Sequence, residues 1–440
     1  MRQGARLQAA ITLLDKILAS SAPADTVVTG YFRQCRYMGS GDRRDISQTV
    51  YQILRRYEEL AWYLQSVPAN KPGWERFLVL AYAHKIQNLS IPELQALCQR
   101  EGQEDKFDPV PLSTLEHMLL KEMDRLRPET MPQAVRLNIP SWVLPLLETT
   151  FGNELEAAVQ ALNQPAPLDL RVNTLKTTRE AVLIRLQAEG FEATPTPWSP
   201  IGIRLSERRP LSGHDLWKQG DIEVQDEGSQ LLALLADAQS GMAVIDYCAG
   251  AGGKTLAMAA TMQNKGRIVA TDVAGWRLDR SRERLRRAGV NNVEFRSLEE
   301  EATAKWLKRQ AARFDRVLVD APCSGSGTWR RNPDLKRRFC QQDLEELVVK
   351  QQQILRRAAP LVKEGGRLIY ATCSLFGEEN ISQVRKFLEI HPDFRLIPIG
   401  EVWTSVLGAP CPMASDTLQL TPHRHAVDGF FIAVMERVKK

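Results

Sequence analysis

The stretch Ala243–Thr255, AVIDYCAGAGGKT, decides how the rest of the chain is read. A short apolar run (Ala243, Val244, Ile245) ends on Asp246. A glycine cluster follows at Gly250, Gly252 and Gly253, and then the helix-forming run LAMAAT. That order predicts a buried parallel strand, a tight turn and a helix. Glycines let a backbone approach a ligand closely, and a helix start offers free N–H groups at the positive end of its dipole. GGKT imitates the end of a phosphate-binding loop, G-x-x-x-x-G-K-[ST], but Cys248 stands where the first glycine belongs, which demotes a nucleotide triphosphatase. The next apolar run, Arg267–Thr271, ends at Asp272, about the distance expected of an acid that grips ribose hydroxyls. An adenosine-containing cofactor fits. The loop alone does not separate a dinucleotide from S-adenosylmethionine.

Outward from this loop, strand and helix patterns alternate from about residue 223 to 440. A helix at Ser229–Asp237 precedes the opening strand, and further strands are predicted at Arg267–Thr271, Val293–Arg296, Arg316–Val319 and Gly366–Ala371. This is the pattern of an α/β, doubly wound, Rossmann-like parallel sheet. Leu418–Thr421 and Phe430–Met435, around Asp428-Gly429, read as a closing hairpin. Upstream, residues 131–222 read as a small α+β module: a strand at Leu168–Val172, a helix at Thr178–Glu189, then strands at Phe191–Thr194 and Ile201–Leu205. Prolines 128, 132, 140 and 145 mark a linker before it. Residues 1–130 read as an all-helical domain, with Leu14, Ile17, Val50, Ile53 and Leu60 among the residues at helical spacing. Ser90-Ile-Pro-Glu93 is a capping box that opens a helix over Leu94–Cys98.

A chain of 440 residues with 43% apolar residues has ample material for several cores. A net charge of +5 permits a polyanionic partner without requiring one. No apolar run approaches bilayer length, and Asp15 and Lys16 interrupt the one N-terminal run that imitates a signal peptide, so a cytoplasmic address and no membrane partner are expected. The seven cysteines are scattered, and none has the Cys/His spacing of a zinc site, so no structural metal is expected. Nothing in the sequence speaks to oligomeric state.

Two cysteines stand apart. Val317–Val319 runs into Asp320-Ala-Pro-Cys323, and Leu368–Ala371 runs into Thr372-Cys373-Ser374. Ligands of doubly wound folds bind outside the carboxyl ends of the strands, so neighbouring strands would bring both sulfurs to the cofactor crevice. Buried structural cysteines and a redox pair are the competing readings. Carbon 5 of a pyrimidine is hardly nucleophilic, and a thiolate adding at carbon 6 makes carbon 5 able to accept a methyl group, splitting one hard step into easier ones.

DYCAGAGGKT, DAPCSGSGTWRRNPD, YATCSL and HRHAVDGFF, with QDEGSQ (Gln225–Gln230) and LRVNT (Leu170–Thr174), resemble the RNA 5-methylcytosine methyltransferase family of the Sun/Fmu or Nop type. The resemblance spans residues 131–440, and the helical N-terminus resembles the NusB-like domain of the branch acting on 16S ribosomal RNA. It implies S-adenosylmethionine as cofactor, held by Cys248, Ala249, Gly250, Ala251, Gly252, Gly253, Lys254, Asp272, Glu299 and Asp320. It implies Cys373 as nucleophile, Cys323 as the group that helps release the product, and Asp320 as the partner of the protonated cytosine ring nitrogen. It also implies that the small module is RNA-recognition-like. Glu299 stands where aspartate is usual, and Ala251 where proline is common. The partner implied is RNA, ribosomal RNA before transfer RNA. The rivals are a DNA cytosine methyltransferase and a non-catalytic RNA-binding assembly factor.

Basic residues cluster twice. Arg280, Arg282, Arg284, Arg286 and Arg287 read as a solvated helix face. Arg330, Arg331, Lys336, Arg337 and Arg338, with Trp329, follow the first cysteine loop and read as a place for RNA phosphates and a stacked base. His423 and His425 have no partner ligands for a metal and no part in this chemistry.

Overall fold

The computed structural model describes residues 1–99, 107–207, 209 and 211–438. The chain divides into two compact units, one comprising residues 1–164 with 329–339, the other residues 165–328 with 340–440.

The first unit is helical. Helices such as Gln3–Ala19, Ser40–Arg55 and Trp74–Lys85 bury the residues that the spacing marks, Leu14, Ile17, Val50, Ile53 and Leu60 among them. The capping box at Ser90 forms as expected: Ser90 Oγ accepts from the Glu93 N–H (3.4 Å), the Glu93 carboxylate accepts from the Ser90 N–H (2.8 Å), and the helix runs Ile91–Leu97. The proline-marked stretch is no linker. It folds into helices Gln133–Arg136, Leu144–Phe151 and Leu155–Leu162, which belong to this unit. Pro145 sits in the first turn of its helix, where a missing N–H costs nothing.

The second unit contains two sheets. In the smaller, β1 (Leu168–Val172), β2 (Ala193–Pro195), β3 (Gly202–Leu205) and β4 (Ile222–Val224) lie in the order β2-β3-β1-β4, all antiparallel. Helix Arg179–Ala188 and the short helix Asp215–Gln219 complete a βαββαβ module, with Leu170, Val182, Leu186 and Ile203 in its core.

The larger sheet contains β5 (Ala243–Asp246), β6 (Arg267–Asp272), β7 (Val293–Ser297), β8 (Phe314–Asp320), β9 (Val362–Thr372), β10 (Phe394–Ile397), β11 (Leu418–Leu420) and β12 (Phe430–Arg437). Its order is β10-β12-β9-β8-β5-β6-β7, with β11 paired to β12. The strands β9-β8-β5-β6-β7 run parallel, and β12 closes the sheet antiparallel to β9, β10 and β11. The parallel strands are continuous apolar runs because both faces are covered, as Val244, Ile245, Ile268, Val269 and Val317 show at 0% exposure. From β5 the chain winds through β6 and β7, then returns to β8 and β9 on the other side. The crevice of such a sheet opens at that reversal, beyond the ends of β5 and β8.

Candidate active site

A cavity of about 1170 Å³ occupies that crevice. The loop after β5 supplies Cys248, Ala249, Gly250, Ala251, Gly253 and Lys254 to its wall. Asp272, Asp320, Cys323 and Cys373 arrive from the ends of β6, β8 and β9. Two residues of the expected set stand elsewhere. Gly252 is the pivot of the turn: its φ is +77°, and a Cβ there would lie 2.8 Å from Ser281 Cβ, so only glycine lets the following helix pack. Glu299 is exposed and outside the wall. The Leu298 N–H donates to the Asp272 carbonyl (2.8 Å), and the turn that follows rolls Leu298 inward and Glu299 out.

Asp272 is 5% exposed and organises the loop. Its Oδ2 accepts from the Gly250 N–H (2.9 Å) and its Oδ1 from the Ala274 N–H (2.8 Å), leaving each oxygen a free lone pair. Gly250, at φ +55°, has nothing within 4 Å of where a Cβ would stand. Lys254 Nζ donates to Asp320 Oδ2 at 2.5 Å. Burial works against the Lys254 ammonium, but the charge and hydrogen bond of Asp320 outweigh it and raise its pKa above the ordinary lysine value. Lys254 is therefore committed to a carboxylate, where a phosphate-binding loop would keep its lysine for the nucleotide.

Asp246, unremarked in the sequence beyond its place at a strand end, also lines the cavity. Thr255 Oγ1 donates to its Oδ2 (2.6 Å), and its Oδ1 has no hydrogen-bond partner. Burial, with Asp320 and Asp272 nearby, pushes its carboxyl up to about 7 against the opposing pull of Thr255 and Lys254.

Strands β8 and β9 are neighbours, with Asp320 opposite Ala371. Their loops bring Cys323 Sγ to 3.3 Å from Cys373 Sγ, both as free thiols. A buried polar network holds the two loops in register. Gly327 N–H donates to the Cys373 carbonyl (2.9 Å), Leu375 N–H to Ser326 Oγ (2.8 Å), and Asn380 Nδ2 to the Ser374 carbonyl (2.9 Å). At its centre the Glu379 carboxylate accepts from Ser324 and Gln351. Reading the motifs singly could not find this network, because its members are ordinary polar residues until the strands pair.

The small module reaches the glycine loop as well. Arg171 donates to the Gly253 carbonyl (3.1 Å), and Arg284 donates to the Ala251 carbonyl (2.6 Å) and to Glu223 (3.0 Å). Arg287 also pairs with Glu223. The first basic cluster is thus only partly solvated: Arg280, Arg282 and Arg286 are exposed, while Arg284 and Arg287 tie the helix Gly275–Ala288 to β4.

In the second cluster Trp329, Arg330 and Lys336 are buried rather than presented as an open surface, and Arg337 is exposed. Residues 329–339 belong to the helical unit, with Trp329 at 1%, Arg330 at 5% and Lys336 at 6% exposure. Lys336 Nζ donates to the carbonyls of Arg55 (3.0 Å) and Asn138 (3.0 Å) and to Asn163 Oδ1 (2.6 Å). Arg337 and Arg338 donate to the carbonyls of Leu18 (3.3 Å) and Ser21 (3.2 Å). Lys336 is thus fastened into the core, while Arg337 stays exposed. His425 is likewise structural, its Nδ1 accepting from the Thr421 N–H (3.1 Å). Among the described residues no cluster of three or more His, Cys, Asp or Glu could hold a metal ion, and no helix is long and apolar enough to cross a membrane.

Known proteins carry the same architecture. The family described as "16S rRNA methyltransferase RsmB/F" matches residues 233–436, and the "Methyltr_RsmF/B-like, ferredoxin-like domain" matches residues 139–212. The probable ribosomal RNA small subunit methyltransferase B of Synechocystis is 32% identical, over 90% of this chain and 91% of its own. The crystal structure of PH0851 is similar over 99% of both chains, at 25% identity and a TM-score of 0.80. A methyltransferase homolog protein from Pyrococcus horikoshii is similar over 71% of this chain and all of its own, at 29% identity and a TM-score of 0.60. The βαββαβ module, the doubly wound sheet and these matches agree, and the chain belongs to the RsmB/F family of 16S rRNA methyltransferases.

Proposed function

We propose that this protein methylates carbon 5 of cytosine in RNA, 16S ribosomal RNA first, with S-adenosylmethionine as donor and a covalent bond from Cys373 to carbon 6. The observation that carries the reading is the pair of sulfurs, 3.3 Å apart on the wall of the cavity that also holds the glycine loop and Asp272.

The wall suits such a donor. Gly250, with no atom within 4 Å of where a Cβ would stand, leaves the loop open, Asp272 has lone pairs free for ribose hydroxyls, and Asp246 Oδ1 is a buried acceptor awaiting a donor. The cavity exceeds the roughly 300–1,000 Å³ usual for one small ligand, which leaves room for a flipped base beside the donor. Bound there, S-adenosylmethionine supplies an electrophilic methyl group. Cys373, as thiolate, adds to carbon 6 and sends the ring's electron pair toward carbon 5 and ring nitrogen 3. Asp320, anchored by Lys254, holds that nitrogen in its protonated state. After carbon 5 has taken the methyl group, Cys323 helps remove the carbon 5 proton. The carbon 5–6 double bond re-forms, and Cys373 leaves with its bonding pair.

Unmodified small-subunit RNA and transfer RNA incubated with methyl-labelled donor, then digested to nucleosides, test the reading. Label is expected in 5-methylcytidine from the ribosomal RNA. Label in another nucleoside contradicts the chemistry, label only from transfer RNA changes the substrate, and retained RNA without transfer favours an assembly factor.

A further inference from the structure

Glu379 is the buried acid to which the chemistry above gives no part. It is 0% exposed and lies in the loop that follows Cys373. Its Oε1 accepts from the Ser324 N–H (2.9 Å) and from Gln351 Nε2 (2.9 Å), and its Oε2 accepts from Ser324 Oγ (2.5 Å). Both carboxylate oxygens thus have hydrogen-bond donors. Ser324 directly follows Cys323, so a single side chain fixes the Cys323 loop to the loop beyond Cys373. The Glu379 carboxylate is thus held against the backbone of the residue next to Cys323.

We propose that Glu379 is a positioning residue that assigns the two sulfurs their different parts, its fixed charge behind Cys323 keeping the pair's negative charge on Cys373. The proposal rests on the covalent reading above and adds what decides which thiol attacks. Groups pulling the other way are the N–H of Cys373, which donates to Cys323 Sγ (3.3 Å), and the N–H of Gly325. Against them stand the hydrogen bond to Cys373, burial, and the charges of Cys373 and Glu379, and together these hold the Cys323 thiol well above its ordinary range. The Tyr370 hydroxyl, pushed up by burial and by Cys323 and Glu379, donates to the Glu379 carbonyl (2.6 Å). Asp320 is neutralised by Lys254. Once Cys373 is bonded to carbon 6, its hydrogen bond to Cys323 weakens and its charge is gone, and Cys323 is freed for its later step.

The test is the pH profile of thiol alkylation by iodoacetamide, read on the separated peptides by mass spectrometry, without RNA. In Cys373→Ala protein the midpoint for Cys323 should lie above that for Cys373 in Cys323→Ala protein. Adding Glu379→Gln to the first should lower the Cys323 midpoint by about one pH unit or more, the size of a like-charge effect at close range. Glu379→Asp should keep it high. An unmoved midpoint in Glu379→Gln protein that still binds the methyl donor overturns the proposal. Should Glu379→Gln fail to fold, the proteins with Glu379 intact decide it, and a Cys323 midpoint at or below that of Cys373 overturns it. Because no methyl transfer enters, failure here leaves the covalent reading to its own test.

Discussion

Asp272 shows how one side chain does two things. Its oxygens brace the backbone of Gly250 and Ala274 while their remaining lone pairs face the cavity. Charge-assisted hydrogen bonds contribute roughly 1.5–3 kcal/mol each. Asp272→Ala should weaken S-adenosylmethionine binding by at least about an order of magnitude, and unchanged affinity by calorimetry would remove Asp272 from the site. Asp246 makes a second prediction. With its carboxyl near 7 and Oδ1 unpartnered, it gains a negative charge as pH rises through about 7. A donor with a sulfonium and an ammonium group prefers the ionised form, so its affinity should fall as pH drops below about 7. Asp246→Asn should flatten that dependence, and a parental slope in the variant would contradict the assignment. Asp272 was legible in the sequence because a strand-end acid at this distance has a known use. The environment of Asp246 was not, since nothing local reveals that Asp320 and Lys254 will surround it.

At the scale of elements, long continuous apolar runs were read correctly, and β5 to β9 lie where the sequence put them. β11 and β12 pair as the closing hairpin that the sequence marks, whereas β4 and β10 were not read. β4 is three residues long with Glu223 at its centre, and that glutamate reads as surface until Arg284 and Arg287 pair with it. The basic run after Cys323 misled for a related reason: composition cannot distinguish cations that meet phosphates from cations that meet buried carbonyls. Lys336 is the clearest case. Burial and, less so, Arg55 lower its pKa to about 7, against the pull of Glu58. Lys336→Met would strand three buried acceptors, each costing about 1–3 kcal/mol. Hydrogen exchange of the helix Ser40–Arg55 should therefore accelerate strongly. The unfolded lysine titrates near 10.4, so between about 7 and that value the unfolded chain binds more protons and stability rises with pH. The stability difference between parent and variant should grow over that window, and a constant difference would contradict a buried, depressed lysine.

For the whole molecule, the decisive event is the meeting of two motifs 50 residues apart. The strand order supplies it, by placing β8 beside β9 at the edge of the crevice. The sequence identified both cysteines and made their proximity conditional on that neighbourhood, and the buried network that fixes their register emerged only with the fold. Immediately beyond the first cysteine loop, residues 329–339 belong to the helical unit. On the proposed mechanism the two sulfurs act in sequence on one cytosine. Incubating Cys323→Ala and Cys373→Ala proteins with target RNA and donor, followed by denaturing electrophoresis, separates the two steps. Cys323→Ala should accumulate an RNase-sensitive protein–RNA complex that disappears when Cys373 is also replaced, while Cys373→Ala should give neither complex nor methyl transfer. A stable complex from Cys373→Ala with none from Cys323→Ala would reverse the roles, and active variants without any complex would contradict the covalent mechanism.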